Sequence, residues 1–424
     1  MMRNVKVLQH VNLFSEAIAV REETYQPIKR VTKTIKTKRV ESIDLLRGVV
    51  MVIMAIDHVR DYFHYDAFFY DPTDLSKTNT ALFFTRFITH YCAPVFVFLS
   101  GISAYLYGTK KNKKQLSFFL LTRGIWLLFA ELFIVSLFRT FNTSFTYINF
   151  QVIGAIGVCM MLLSVIIYMP KPLIFFTGAA IILFHNTLDA VHVQGNDLQA
   201  FFWSLVHDAK HFSFGQYDVY VRYPVLPWLG VMILGYCTGT LYAPGFDAAK
   251  RRKILVLTGI GATALFIMLR FVNLYGDAAL WSIQNDALFS FMSFLNVTKY
   301  PPSLLYVLIT LGPALIFLSL TERPLNRLTE KLVIFGRVPM FYYLAHILLI
   351  HVLAIIAALV TGYPAMVILR GPVDATAQLK GYGFDLPVVY LIWIGLILFL
   401  FPFCKWFDTY KRKHQAKQWW LSYL

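Results

Sequence analysis

Apolar runs of membrane-spanning length alternate along the chain with short polar connections. Windows of roughly 16–25 residues recur at about 42–63, 84–106, 116–138, 149–168, 172–187, 223–243, 254–273, 301–320, 334–360 and 387–408, near the length a helix needs to cross a bilayer. The pattern predicts an all-α, polytopic integral membrane helical bundle of about 10 transmembrane helices. The fifth window is short, which suits a tilted or partly re-entrant helix. Residues 1–40 are polar and basic and read as a disordered tail, 41–410 as the membrane domain, and 411–424 as a second short basic tail.

Composition agrees with the periodicity. Hydrophobic residues make up 58% of the 424, charged residues 15%, and the mean hydropathy is +0.59, more apolar surface than a soluble domain of this length can cover. Cys92, Cys159, Cys237 and Cys404 lie far apart in or beside apolar stretches and read as small buried hydrophobes, with no metal or disulfide spacing. The excess of basic residues is unevenly placed. Of 39 Lys and Arg, 26 fall in the two tails, at Lys405 just before the second, and in alternate loops, at Lys110, Lys111, Lys113 and Lys114, at Lys171, at Lys250 to Lys253, and at Arg323, Arg327 and Lys331. By the positive-inside rule this puts both termini in the cytoplasm, in a cell (inner or plasma) membrane. The net charge of +16 then needs no nucleic acid; it is a topology signal and an attraction to anionic lipids.

The first window departs from the rest. It opens on Ser42-Ile43-Asp44-Leu45-Leu46-Arg47-Gly48 and closes on Asp57-His58-Val59-Arg60-Asp61-Tyr62-Phe63-His64. An ionisable group near the bilayer centre costs about 2.5–3.5 kcal/mol on insertion scales, so such a cluster implies a task. Within this helix Asp57, Asp61 and His64 share a face at i, i+4 and i+7. Depth counted along successive helices places His90, Arg86, Glu131, Asn149, Gln151 and His351 near the same level, with His346 nearer mid-membrane, as one polar layer toward the outer surface. A carboxylate one turn from a histidine can fix its tautomer and raise its basicity, as general-base chemistry requires. A cytoplasmic layer holds Asp44, Arg47, Arg123 and Arg337, and the planar fork of arginine suits phosphate oxygens. In the longer outer loop, His207 and His211 have i, i+4 spacing but no glutamate follows the first, so they read as surface histidines and no metal is expected.

These residues carry a resemblance. Arg39 to Gly48, Met54-Ala-Ile-Asp-His-Val-Arg60, Arg86-Phe-Ile-Thr-His-Tyr-Cys-Ala-Pro-Val-Phe-Val-Phe-Leu-Ser-Gly101, Tyr223-Pro-Val-Leu-Pro-Trp-Leu-Gly230, Lys299-Tyr-Pro-Pro-Ser303 and Gly336-Arg-Val-Pro-Met-Phe-Tyr-Tyr-Leu-Ala-His346 resemble the heparan-α-glucosaminide N-acetyltransferase family and its bacterial-type relatives. The likeness runs over roughly residues 39 to 410. It implies an acyltransferase moving an acetyl group from cytoplasmic acetyl-CoA, through the membrane, to an amino-sugar or glycan acceptor outside. On that reading Arg47, Arg123 and Arg337 hold the CoA phosphates, and a histidine near the outer end of the first span is catalytic. His58 and His64 both occupy that stretch. His58 would deprotonate the acceptor amine or carry the acetyl group, Asp57 or Asp61 would orient it, and His90 or His346 would polarise the thioester carbonyl. Buried Asp, Glu and His also build relays in proton-coupled transporters, the competing reading, although no internal repeat of the transporter kind is visible. The sequence is compatible with a homo-oligomer.

Overall fold

A computed structural model describes residues 40–369, 377–415 and 417–423; the basic tail expected at 1–40 lies almost wholly outside the described residues. In chain order the helices are α1 (Glu41–Phe63), α2 (Thr80–Thr89), α3 (Cys92–Gly108), α4 (Lys113–Phe129), a π-helical turn (Ala130–Val135) and α5 (Ser136–Thr140). After strand β1 (Tyr147–Phe150) come α6 (Val152–Ile166), α7 (Lys171–Phe184) and α8 (Leu198–Val206). The β2 (Lys210–Phe214) and β3 (Tyr217–Val221) hairpin leads to α9 (Val225–Thr238), α10 (Ala248–Val272) and α11 (Ala287–Leu295). The chain then runs through α12 (Leu304–Leu320), α13 (Arg327–Arg337), α14 (Pro339–Thr361), α15 (Ala365–Leu369) and α16 (Leu386–His414).

The protein is a helical membrane protein. Each predicted window falls largely on helix, and among the described residues seven helical segments are long and apolar enough to cross a bilayer. The helices of the other three windows miss that description for identifiable reasons. α6 and α12 are shorter apolar helices, and α1 carries Asp44, Arg47, Asp57 and Arg60 inside its length. Many of the side chains exposed on α4, α7, α10 and α16 are Leu, Ile, Val and Phe, among them Phe118, Phe176, Leu257 and Leu398, as lipid contact requires.

α1 is the hub. Its Asp44 end packs on α13 so closely that a Cβ on Gly48 would overlap the Leu332 carbonyl, and one on Gly336 would overlap the Asp44 carbonyl. Arg47 crosses this contact, donating to Asp44 Oδ1 (3.1 Å), the Gly336 carbonyl (3.1 Å) and Ser103 Oγ (3.0 Å). The Asp-x-x-Arg-Gly and Gly-Arg motifs, nearly three hundred positions apart in the chain, are therefore two halves of one helix crossing.

The second predicted span is broken. α2 stops at Thr89 and α3 restarts at Cys92, because Pro94 has no N–H to offer the carbonyl of His90. Tyr306 Oη on α12 donates to that carbonyl instead (2.7 Å). In the third span the π-helical turn carries Glu131, whose Oε2 accepts from Gly154 N at the start of α6 (2.9 Å).

The all-α expectation misses a small sheet of order β1-β3-β2 at the Asp57 end of α1. β3 pairs antiparallel with β2 across the Gly215 turn and parallel with β1, from Tyr147 opposite Asp218 to Phe150 opposite Val221. The end of the chain is also more ordered than a basic tail implies. α16 continues to His414, Leu421 is fully buried, and Tyr423 Oη donates to Thr122 on α4 (3.3 Å).

Candidate active site

A polar cavity of about 430 Å³ opens where the Asp57 end of α1 meets the α2–α3 break, the π-helical turn, β1 and the loops before α9 and α12. Asp57, His58, Arg60 and Asp61 of α1 line it, together with Arg86, Glu131, Asn149 and Gln151. The layer inferred from helical depth is thus a physical enclosure for most of its members.

α1 supplies the acid side of the site. Arg86 forks onto Asp57 with one nitrogen (2.9 and 2.7 Å), Arg60 reaches the same carboxylate (2.8 Å) and Thr89 Oγ1 donates to it (3.0 Å). Arg60, 3% exposed, also bonds Asp61 (2.5 Å). Asp57 is therefore committed to two arginines, and among the described residues neither Asp57 nor Asp61 hydrogen-bonds His58. Breaking this cluster by Arg86→Leu is expected to lower stability by about 3 kcal/mol, the low end for a buried charge that loses one of its partners. Thermal unfolding in detergent reads it, and adding Asp57→Asn should recover part of the loss.

His58 lines the cavity and lies beside His346 of α14, with ring centroids 5.3 Å apart. His346 is fully buried, and its Nδ1 lies 2.9 Å from the Tyr342 carbonyl. A carbonyl can only accept, so Nδ1 carries the proton and the neutral ring keeps Nε2 as a lone-pair acceptor. That atom is buried with no hydrogen-bond partner among the described residues. An acceptor nitrogen does not polarise a carbonyl, so His346 suits a proton-accepting role next to His58 better than the electrophilic one.

His64 and His90 lie differently from the sequence expectation. The shared face of Asp57, Asp61 and His64 requires helix through residue 64, but α1 ends at Phe63 and His64 is extended. Phe384 draws the chain away, with its N–H on the Phe63 carbonyl (2.7 Å) and its carbonyl accepting from Tyr65 N (3.3 Å). His64 Nδ1 then accepts from Asp66 N (3.2 Å), and the side chain is not among those lining the cavity. His90 occupies the helix break with its ring edge against Tyr306, 5.5 Å between centroids, also outside the lining. His351 is held between the carbonyls of Phe138 and Ile368, 2.9 Å from each.

Sequence reasoning missed the base-rich part of the wall. Arg139 of α5, Arg222 after β3 and Lys299 before α12 all line the cavity. Arg139 Nε and Nη2 are buried without a hydrogen-bond partner among the described residues. Arg222 lies over the Tyr300 ring (4.8 Å), whose hydroxyl is 3.4 Å from that of Tyr223. Asp277 fixes the Lys299 loop by accepting from Thr298 N (2.9 Å) and Ser303 Oγ (2.6 Å). A signal was present: all three cations sit on the side where the positive-inside pattern leaves few. Asp71, in the loop after α1, also lines the cavity. Burial disfavours its ionised form, but Arg86 and the Thr73 hydroxyl and amide override this and hold its carboxyl below the ordinary range.

The arginines assigned to the donor group at the other end of α1 are not equivalent. Arg47 and Arg337 flank Asp44, at 3.1 and 3.8 Å, and Arg337 also approaches Asp408 (3.8 Å). Arg123 lies near the rings of Phe119 and Tyr423, at 5.9 and 6.0 Å. The pair of loop histidines is separated: His207 caps the end of α8 and is buried against Asp189 (2.9 Å), while His211 is on β2, stacked on Tyr220. The reading of His207 as a surface histidine fails because α8 ends before residue 207 and the side chain turns inward.

No curated protein matches the chain. A family model does, described as heparan-alpha-glucosaminide N-acetyltransferase, catalytic, and it covers residues 39–272. That stretch runs from α1 through α10, so it contains Asp57, His58, Arg86, Glu131, Arg139 and Arg222, while Lys299 and His346 lie beyond it. With more than half its length matched and its charged first helix built into one enclosed polar site, the chain belongs to the heparan-alpha-glucosaminide N-acetyltransferase catalytic family.

Proposed function

We propose that this membrane acyltransferase takes an acetyl group from acetyl-CoA at the Asp44 end of α1 and delivers it to an amino-sugar or glycan acceptor in the cavity at the Asp57 end. The Asp44 end is cytoplasmic on this reading, both termini lie on that side, and the bundle has ten spans in the cell membrane. The observation that carries the proposal is that one helix, α1, builds both polar ends, with Arg47 at one and His58 at the other. The two lie about 16 Å apart along the axis at 1.5 Å per residue. A long, flexible pantetheine arm suits a reach of that order, leaving the adenine nucleotide on the basic side.

At the Asp44 end Arg47, Arg337 and Arg123 meet phosphate oxygens. The first two share Asp44, which holds their forks in place and offsets part of their charge. In the cavity His58 takes the proton from the acceptor amine as nitrogen attacks the thioester carbonyl. The carbonyl oxygen gains negative charge in that step, and Arg139, whose Nε and Nη2 have no hydrogen-bond partner among the described residues, donates to it. Collapse of the tetrahedral species breaks the carbon–sulfur bond and releases CoA thiolate toward the Asp44 end. His346 Nε2 offers a neighbouring site for the proton. Asp57, Arg60 and Arg86 keep the α1 end fixed and act as positioning residues.

Purified protein reconstituted in liposomes tests the reading. Radiolabelled acetyl-CoA on one face should label amino sugars on the other face, and transfer should disappear without protein. Absence of acetyl-CoA binding and of turnover with every acceptor in a hexosamine and glycan panel would overturn it. Acceptor-free solute uptake driven by a proton gradient would replace it with the transporter reading.

A further inference from the structure

Beyond the cavity, a second cluster of ligating side chains closes the loop between α7 and α9. His185 opens a 3₁₀ turn (His185–Leu188) at the end of α7, Asp189 caps that turn, and His207 caps α8. One ligand atom from each of the three lies within 4.8 Å of the others. The His185 and His207 rings are 5.6 Å apart, and His207 Nε2 is 2.9 Å from Asp189 Oδ1.

Two observations make this more than a histidine–aspartate pair. His185 is 3% exposed, and neither of its ring nitrogens has a hydrogen-bond partner among the described residues. A buried imidazole ordinarily satisfies at least its N–H, so two silent nitrogens facing a carboxylate and another imidazole ask for an electrophile. The carboxylate is held as well. Asn186 Nδ2 donates to Asp189 Oδ2 (2.8 Å), and Asn186 Oδ1 accepts from Leu304 N at the start of α12 (2.9 Å). Outer-sphere bonds of this kind orient metal-ligating carboxylates.

We propose that His185, Asp189 and His207 bind one divalent transition-metal ion of the zinc class. Two imidazoles and one carboxylate suit borderline cations and disfavour calcium and magnesium, which take all-oxygen sets. Three protein donors leave a fourth position for water, reachable past the Asp189 side chain, which is 20% exposed. None of the three residues lines the cavity, so the ion stands apart from the transfer site. It joins the end of α7 to the end of α8, three residues before β2, and so anchors the sheet from which Arg222 enters the active site.

The test uses the full chain, purified without a histidine tag, stripped by chelator, and reloaded with Zn²⁺ or Co²⁺ alone. Wild type should retain about one ion per chain and, with Co²⁺, show the visible absorption of a low-symmetry four-coordinate site. Zn²⁺ should also raise the melting temperature of the stripped protein. His185→Ala and His207→Gln should each abolish retention, while His192→Ala, an exposed histidine that pairs with Asp208 in the same loop, should keep it. Wild type that retains no metal after loading overturns the site. So does retention unchanged in His185→Ala or lost in His192→Ala. If the variants do not fold, stoichiometry and the cobalt spectrum of wild type decide alone.

Discussion

His58→Ala is expected to reduce acetyl transfer by about 10²–10⁴-fold, the usual contribution of a positioned general base, with the protein still folded. His64→Ala should leave transfer near the wild-type rate. The contrast follows from where α1 stops. His58 is inside the helix and faces the cavity, whereas His64 lies beyond the last helical residue, held by the Asp66 amide and the Phe384 strand contact. The loss should fall on kcat more than on KM, since Arg86, Arg139 and Arg222 remain to shape the pocket. Radiolabel transfer with each variant, normalised to monodisperse protein, measures it. Full activity in His58→Ala with loss in His64→Ala would move the base to the helix end and require that segment to swing inward.

Gly336→Val should prevent the bundle from forming or lower its stability by more than about 3 kcal/mol, above the usual overpacking penalty. A side chain can rotate out of an overlap, but here the added carbon meets the Asp44 carbonyl and the Gly48 amide, which are backbone. Separating α1 from α13 would also pull Arg47 off the Gly336 carbonyl and Arg337 away from Asp44, so the donor end is lost with the fold. Gly261→Ala is the control, because nothing lies within 4 Å of a Cβ there. It should be neutral or slightly stabilising, as alanine for glycine is in an open helix. The fraction of monodisperse protein in detergent and its melting temperature distinguish the two.

Much of this was legible because lipid simplifies the code. Every apolar window had to be helix, since no other open structure satisfies its backbone in a bilayer. Depth could be counted along each helix, which brought Asp57, His58, Arg86, Glu131 and Gln151 to one level and, in the structure, to one cavity. What failed is what counting along an ideal helix cannot see. His64 falls off its face because a pairing with Phe384, far along the chain, ends the helix one residue early. His90 sits where the helical hydrogen bonding is interrupted, a break that Pro94 announces and that Tyr306 completes from another helix. The strands are short: β1 runs into the start of the fourth apolar window, and β2 and β3 lie in the connection between the fifth and sixth. Only the alternation of Phe212 and Phe214 with Tyr217, Val219 and Val221 about Gly215 marked them.

The parallel pairing of β1 with β3 has a mechanical consequence. Between those strands the chain runs down and back through α6 and α7, so the ladder latches the exit of α5 to the entry of α9 across a long detour. A slip of one residue in that latch would invert which side chains face inward, turning Phe150 and Val221 out of the core. The wall bearing Arg139 and Arg222 therefore has a fixed gauge and moves as one piece or not at all.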